Sequence, residues 1–193
     1  MSPLLSRLLS PAGFVLVGLL FLLPFVGVSC SAPEIGSVDA SYSGFDLVTG
    51  GDPAYEVDSP IADQAAPPGL EMPTPGVTPL AVAVLVLLLV GVGCALLARP
   101  TVRLAVAGGV AALAAILLVV TEVVARSGLV DSIAEAAVVV RQSTSQNLDP
   151  VTGKDFLAGV VGIRFGFWVT LGALVVLSAG NLVAVRRVAA RPR

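Results

Sequence analysis

The sequence predicts an all-α membrane protein: a bundle of four transmembrane helices, both termini cytoplasmic, with two extracytoplasmic loops that carry short strand or helix elements. Three observations lead there. Apolar stretches at 12–28, 79–98, 104–124 and 165–185 each come close to the ~20 residues a helix needs to cross ~30 Å of hydrocarbon. A chain of 193 residues that is 56% hydrophobic, with mean hydropathy +0.96, has more apolar surface than a soluble domain of that size can bury. And the positive charges lie on one side of the spans.

The first span (12–28) follows a short cytoplasmic terminus, 1–11, that carries Arg7. Residues 1–30 also have the layout of a secretory signal, and Val28-Ser29-Cys30 resembles the end of a bacterial lipobox. Gly27 stands where that pattern carries an aliphatic residue, and Pro24 interrupts the apolar core. An uncleaved first helix is therefore the expected form. Lipidation of Cys30, with loss of residues 1–29, is the alternative.

The loop at 29–78 holds eight acids, Glu34, Asp39, Asp46, Asp52, Glu56, Asp58, Asp63 and Glu71, and no Lys or Arg. Val38-Asp39-Ala40-Ser41-Tyr42-Ser43 alternates as a short strand does, and the Pro/Gly-rich end, from Pro67 to Pro79, is expected to be extended. Oxygen ligands at positions 1, 3 and 5 with a turn glycine are missing, so no EF-hand-like calcium loop is expected. Asp52, Glu56 and Asp58 are taken as solvated surface. No metal and no cofactor is expected.

The second span (79–98) contains Cys94, about fifteen residues in, which places it ~20 Å from Cys30 in depth at 1.5 Å per residue. That is too far for the ~5.5 Å Cα separation of a disulfide. The link 99–103, with Arg99 and Arg103, makes the second and third spans antiparallel neighbours.

The third span (104–124) is dense in small residues. Ala107, Ala111 and Ala115 recur every four positions, as do Gly108 and Ala112, which suits close helix packing within a bundle. Glu122 near its end is a functional candidate, because a carboxylate in hydrocarbon is costly. An interfacial ion pair with Arg126, four residues on, is the simpler expectation.

The second loop (125–164) is charge-balanced. Leu129, Val130, Ile133, Ala136, Ala137 and Val140 are spaced as in a helix that extends span three or lies on the membrane surface, and turns follow at 147–153. Val48-Thr49-Gly50-Gly51-Asp52 is echoed by Val151-Thr152-Gly153-Lys154-Asp155. An old duplication and two independent turns both account for it. The fourth span (165–185) opens on Phe165, Phe167 and Trp168, as an aromatic belt does, and the tail 186–193 holds Arg186, Arg187, Arg191 and Arg193.

The segments 1–11, 99–103 and 186–193 contain seven Arg and no acid. By the positive-inside rule these segments are cytoplasmic and both loops are outside. Ten Arg against one Lys, with abundant Ala, Val and Gly, suits a GC-rich bacterial genome and hence the cell membrane. The acidic loop cannot neutralise phosphates, so nucleic acid is excluded as a partner.

Leu23-Pro24-Phe25 ahead of Cys30, Gly44-Phe45-Asp46-Leu47-Val48-Thr49-Gly50, and Gly166-Phe167-Trp168 together resemble uncharacterised four-helix bacterial membrane proteins. The resemblance implies the bundle and no activity. The layout is also similar to that of claudin-like proteins, but their first-loop Trp and paired Cys are absent.

With no His, no Ser-x-x-Lys, no phosphate-cradling loop and no paired Cys, the usual nucleophile–base pairs cannot be assembled. No enzyme is expected. The leading expectation is a structural or accessory protein that presents its two loops to an envelope or membrane partner. Phe45, Tyr42 and Leu47 are the apolar candidates for contact or for loop folding, and Asp46 belongs to the same segment. The alternative is a small channel or transporter subunit acting as a homo-oligomer, with Glu122 its only support.

Overall fold

A computed structural model describes residues 3–32, 36–58, 78–94, 99–144 and 160–190. It is mostly helical. In chain order the elements are α1 (Pro3–Leu20), β1 (Pro24–Ala32), β2 (Gly36–Ser43), α2 (Gly44–Thr49), β3 (Ala54–Asp58), α3 (Pro79–Gly93), α4 (Pro100–Thr144), β4 (Val161–Ile163) and α5 (Phe165–Ala189). Two helices, Thr101–Ile133 within α4 and Phe165–Val188 within α5, are long and apolar enough to cross a membrane, while Pro11–Leu20 and Pro79–Gly93 are shorter apolar helices. The expected turns at 147–153, the second half of the echo at 151–155 and most of the Pro-rich loop end lie outside the described residues.

The elements form two compact groups. The first comprises α1, α3, the start of α4 as far as Thr121, and α5. Its contacts are made where side chains are small. Gly91 of α3 lies against Phe14 of α1, so closely that a Cβ there would clash with the ring; Gly13 of α1 lies against Leu177 of α5. Gly108 of α4 sits where a Cβ would come 3.4 Å from Asn181 and Leu182 of α5. The buried face of α4 is the small-residue face, with Ala107, Ala111 and Ala114 fully covered. Ser178 Oγ donates to the Gly108 carbonyl at 3.0 Å, a helix-to-helix bond of the kind worth about 0.6–2 kcal/mol in apolar surroundings. Leu89, Ile116 and Val176 are 64%, 62% and 72% exposed, so the exterior of this group is apolar.

The second group is built on a four-stranded antiparallel sheet of order β3-β2-β1-β4, together with α2 and the rest of α4. An all-α fold does not contain this sheet, and the reason lies in β1. Residues 24–28 were expected to end the first helix. Instead α1 stops at Leu20, the turn at 21–23 closes with Leu23 N–H donating to the Leu20 carbonyl at 3.0 Å, and Pro24 opens a strand. Pro24 has no N–H to continue the helix and biases Leu23 away from helical angles. Beyond it Val26 and Val28 alternate with Gly27 and Ser29, a period of two that suits β-branched residues.

Register divides the sheet into two faces. Val26 opposes Tyr42, and Val28 opposes Ala40 and Val161; all five are buried, none more than 4% exposed. Gly27, Ser29, Asp39 and Ser41 point the other way and carry the polar atoms. The alternation from Val38 to Ser43 forms β2, and the apolar spacing after residue 125 extends span three as part of one helix, α4.

Gly91→Ala is expected to cost about 1–3 kcal/mol through overpacking against Phe14. Gly109→Ala, where nothing lies within 4 Å, is expected to cost nothing and to gain about 0.5–1 kcal/mol of helix propensity. Thermal unfolding of both variants in mild detergent gives the comparison.

Candidate functional site

Polar chemistry gathers in three places, and the first is the open face of the sheet. β4 places Arg164 one residue past its end, where its N–H donates to the Phe25 carbonyl at 2.7 Å. The guanidinium then lies back across β1. Its Nη2 donates to both carboxylate oxygens of Asp39 and to Ser29 Oγ at 2.9 Å, while Ser29 Oγ donates to Asp39 Oδ2 at 3.1 Å. Ser29 and Asp39 face each other across the β1–β2 ladder, so one arginine closes a triangle over three strands. Gly27 makes this possible: a Cβ there would occupy the space of the Arg164 guanidinium. The pair is about one third exposed, 31% at Arg164 and 37% at Asp39, which limits its net worth to about 1 kcal/mol.

The second place is α2. Ser43 accepts from the Asp46 N–H at 3.1 Å, and Asp46 Oδ2 accepts from the Ser43 N–H at 2.8 Å and from the Ser43 hydroxyl at 2.7 Å. That reciprocal capping box starts the helix. Gly50, at φ 70°, ends it, in the left-handed conformation that glycine adopts at least cost. Asp46 is therefore occupied in holding its own turn. Of the three apolar residues expected to act here, Tyr42 and Leu47 are buried and Phe45 is 47% exposed. Phe45 is the one positioned to meet something else.

The third is Glu122 on α4. It is 4% exposed, and neither carboxylate oxygen has a hydrogen-bond partner among the described residues. Arg126 acts on it electrostatically without hydrogen-bonding it. The carboxylate lies on the covered side of the helix with Leu118, Ala125 and Leu129.

Cys30 lies in β1 opposite Val38, and Cys94 is a buried free thiol. Phe165 and Trp168 are both 59% exposed while Phe167 is buried, with the Phe167 and Trp168 rings edge-to-face at 5.2 Å. Among the described residues no three His, Cys, Asp or Glu side chains converge on a metal-sized site.

Arg164, Asp39, Ser29 and Gly27 carry the sheet's polar face, and nothing in the sequence brings them to one site. Asp39 and Arg164 are 125 positions apart, and no local spacing signals such a pair. The capping box was legible as Ser43-x-x-Asp46 ahead of Leu47 and Val48. No protein-family model matches the chain, and no curated protein is significantly similar to it.

Arg164→Gln and Asp39→Asn are each expected to destabilise the sheet by about 1 kcal/mol, with the double variant little worse than either. Hydrogen–deuterium exchange on peptides covering 24–32 reads the effect as a roughly fivefold faster exchange.

Proposed function

We propose that this is a multi-pass protein of a bacterial cell membrane, without a catalytic site, whose two outer loops fold together as one small domain that docks an envelope or membrane partner. The observation that carries the reading is the β1–β4 pairing. Residues at the end of the second loop complete a sheet whose other strands lie in and just before the first, and Arg164 is tied to Asp39 across it. Two loops that only joined spans would need no common sheet.

Orientation follows from charge. Arg7, Arg99, Arg103, Arg186, Arg187, Arg191 and Arg193 mark the cytoplasmic side, which leaves the sheet outside. Two helices, within α4 and α5, are long and apolar enough to cross a membrane, which supports the reading. The contacts of α3 with α1 at Gly91 and of α1 with α5 at Gly13 support a four-helix bundle. The partner-facing feature is Phe45, exposed on a capped helix in a loop rich in acids, which suits a partner with an apolar pocket and a basic rim.

The sheet also bears on Cys30. Lipoprotein processing would cut before Cys30 and remove Val26, Gly27 and Val28, the residues that pair with β4, along with Ser29 of the polar triangle. That supports retention of the first helix. The channel-subunit reading keeps one observation in its favour, the buried Glu122. It requires an oligomer to build a pore.

A photo-crosslinking residue at position 45, followed by mild-detergent purification and mass spectrometry, is expected to capture one stoichiometric envelope protein, and Phe45→Ala to lose it. Recovery of the chain crosslinked only to itself would instead favour the oligomeric channel. The purified chain is expected to have a mass that includes residues 1–29; a lipidated species beginning at Cys30 would overturn the uncleaved form.

A further inference from the structure

Glu122 is the one buried acid among the described residues. Its helix segment, Thr101–Ile133, has a mean hydropathy of 2.5, and Leu118, Ala125 and Leu129 beside it on the same side are 5% exposed or less. The adjacent Thr121 hydroxyl donates to the Leu117 carbonyl at 2.8 Å and so is not directed at the carboxylate. A bare carboxylate here has given up its water and received no hydrogen bond, a loss of several kcal/mol even after relaxation.

Three kinds of occupant could relieve it. Arg126 attracts the carboxylate electrostatically, but a guanidinium that satisfied it would also hydrogen-bond it, and neither oxygen has such a bond. A metal ion needs several donors, and no three His, Cys, Asp or Glu side chains converge among the described residues. A proton needs a single oxygen and removes the charge altogether.

We propose that Glu122 is a proton-binding site in α4, the proton taking the place of the hydrogen bonds that its covered carboxyl lacks. The site stands apart from the reading of the outer loops: a partner can dock at Phe45 whether or not Glu122 holds a proton.

The test is infrared difference spectroscopy of the full chain in lipid at pH 7, unaltered protein minus Glu122→Gln, an isosteric change that leaves the packing in place. The expected result is loss of one protonated-carboxyl C=O band in the variant. Loss of the two carboxylate stretches instead would overturn the proposal. Should the variant fail to fold, labelling of the unaltered protein with dicyclohexylcarbodiimide decides. That apolar reagent adds to a protonated carboxyl, and the acyl group migrates from oxygen to nitrogen to leave an N-acylurea with no leaving group. An adduct at Glu122 at least fivefold above those at the exposed Glu56 and Asp131 supports the site, and no enrichment at Glu122 overturns it.

Discussion

Strand β1 has neighbours on both sides, β2 along its whole length and β4 at Val26–Val28, and it supplies the buried residues Phe25, Val26 and Val28. Remove it and β2 with β3 is a two-stranded ribbon, which is marginal in water, while β4 is three residues with nothing to pair to. β1 in turn depends on Pro24. An apolar run of this composition continues as helix unless something stops it, and proline at the first residue of a strand is where a sheet tolerates it. The chain's first passage from the helical group into the sheet group thus turns on a single imino acid.

The same residues show what could be read from the chain and what could not. The alternation through β2 and the helical spacing after residue 125 are local patterns, and both appear in the structure as elements. β1 was hidden because Phe25, Val26 and Val28 also extend an apolar run, and hydropathy averages over the period-two signal that Gly27 and Ser29 supply. The tie between Arg164 and Asp39 was not legible at all. In composition the first belongs to a balanced loop and the second to an acidic one, and only the β1–β4 register puts them together. Glu122 was legible as an oddity but not as a covered one, since burial depends on which side of α4 is covered.

The two polar sites are opposite answers to one problem. At the sheet, every oxygen of Asp39 has a donor, and the cluster keeps about a third of its surface in water; such a group locks geometry, with Arg164 Nε its one buried atom left without a hydrogen bond among the described residues. At Glu122 the oxygens are covered and unanswered among the described residues. A helix as apolar as α4 gains nothing from such a carboxyl by packing alone, so its presence is more naturally tied to chemistry than to stability.

The β1–β4 ladder also sets a clock. Ser29 and Arg164 are 135 positions apart, and a ribosome at about 5–20 residues per second needs roughly ten seconds to span that distance. Throughout that interval β1 displays an unpaired edge bearing Val26 and Val28, a template for pairing with any other extended chain. Contacts this remote in sequence also form slowly for entropic reasons. The maturing protein therefore passes through a stage in which its first strand is made but its last is not, and the glycine at position 27 and the arginine at 164 meet only near the end. Damage to that late meeting would appear first as lost yield and aggregation, before any change in the stability of the molecules that finish.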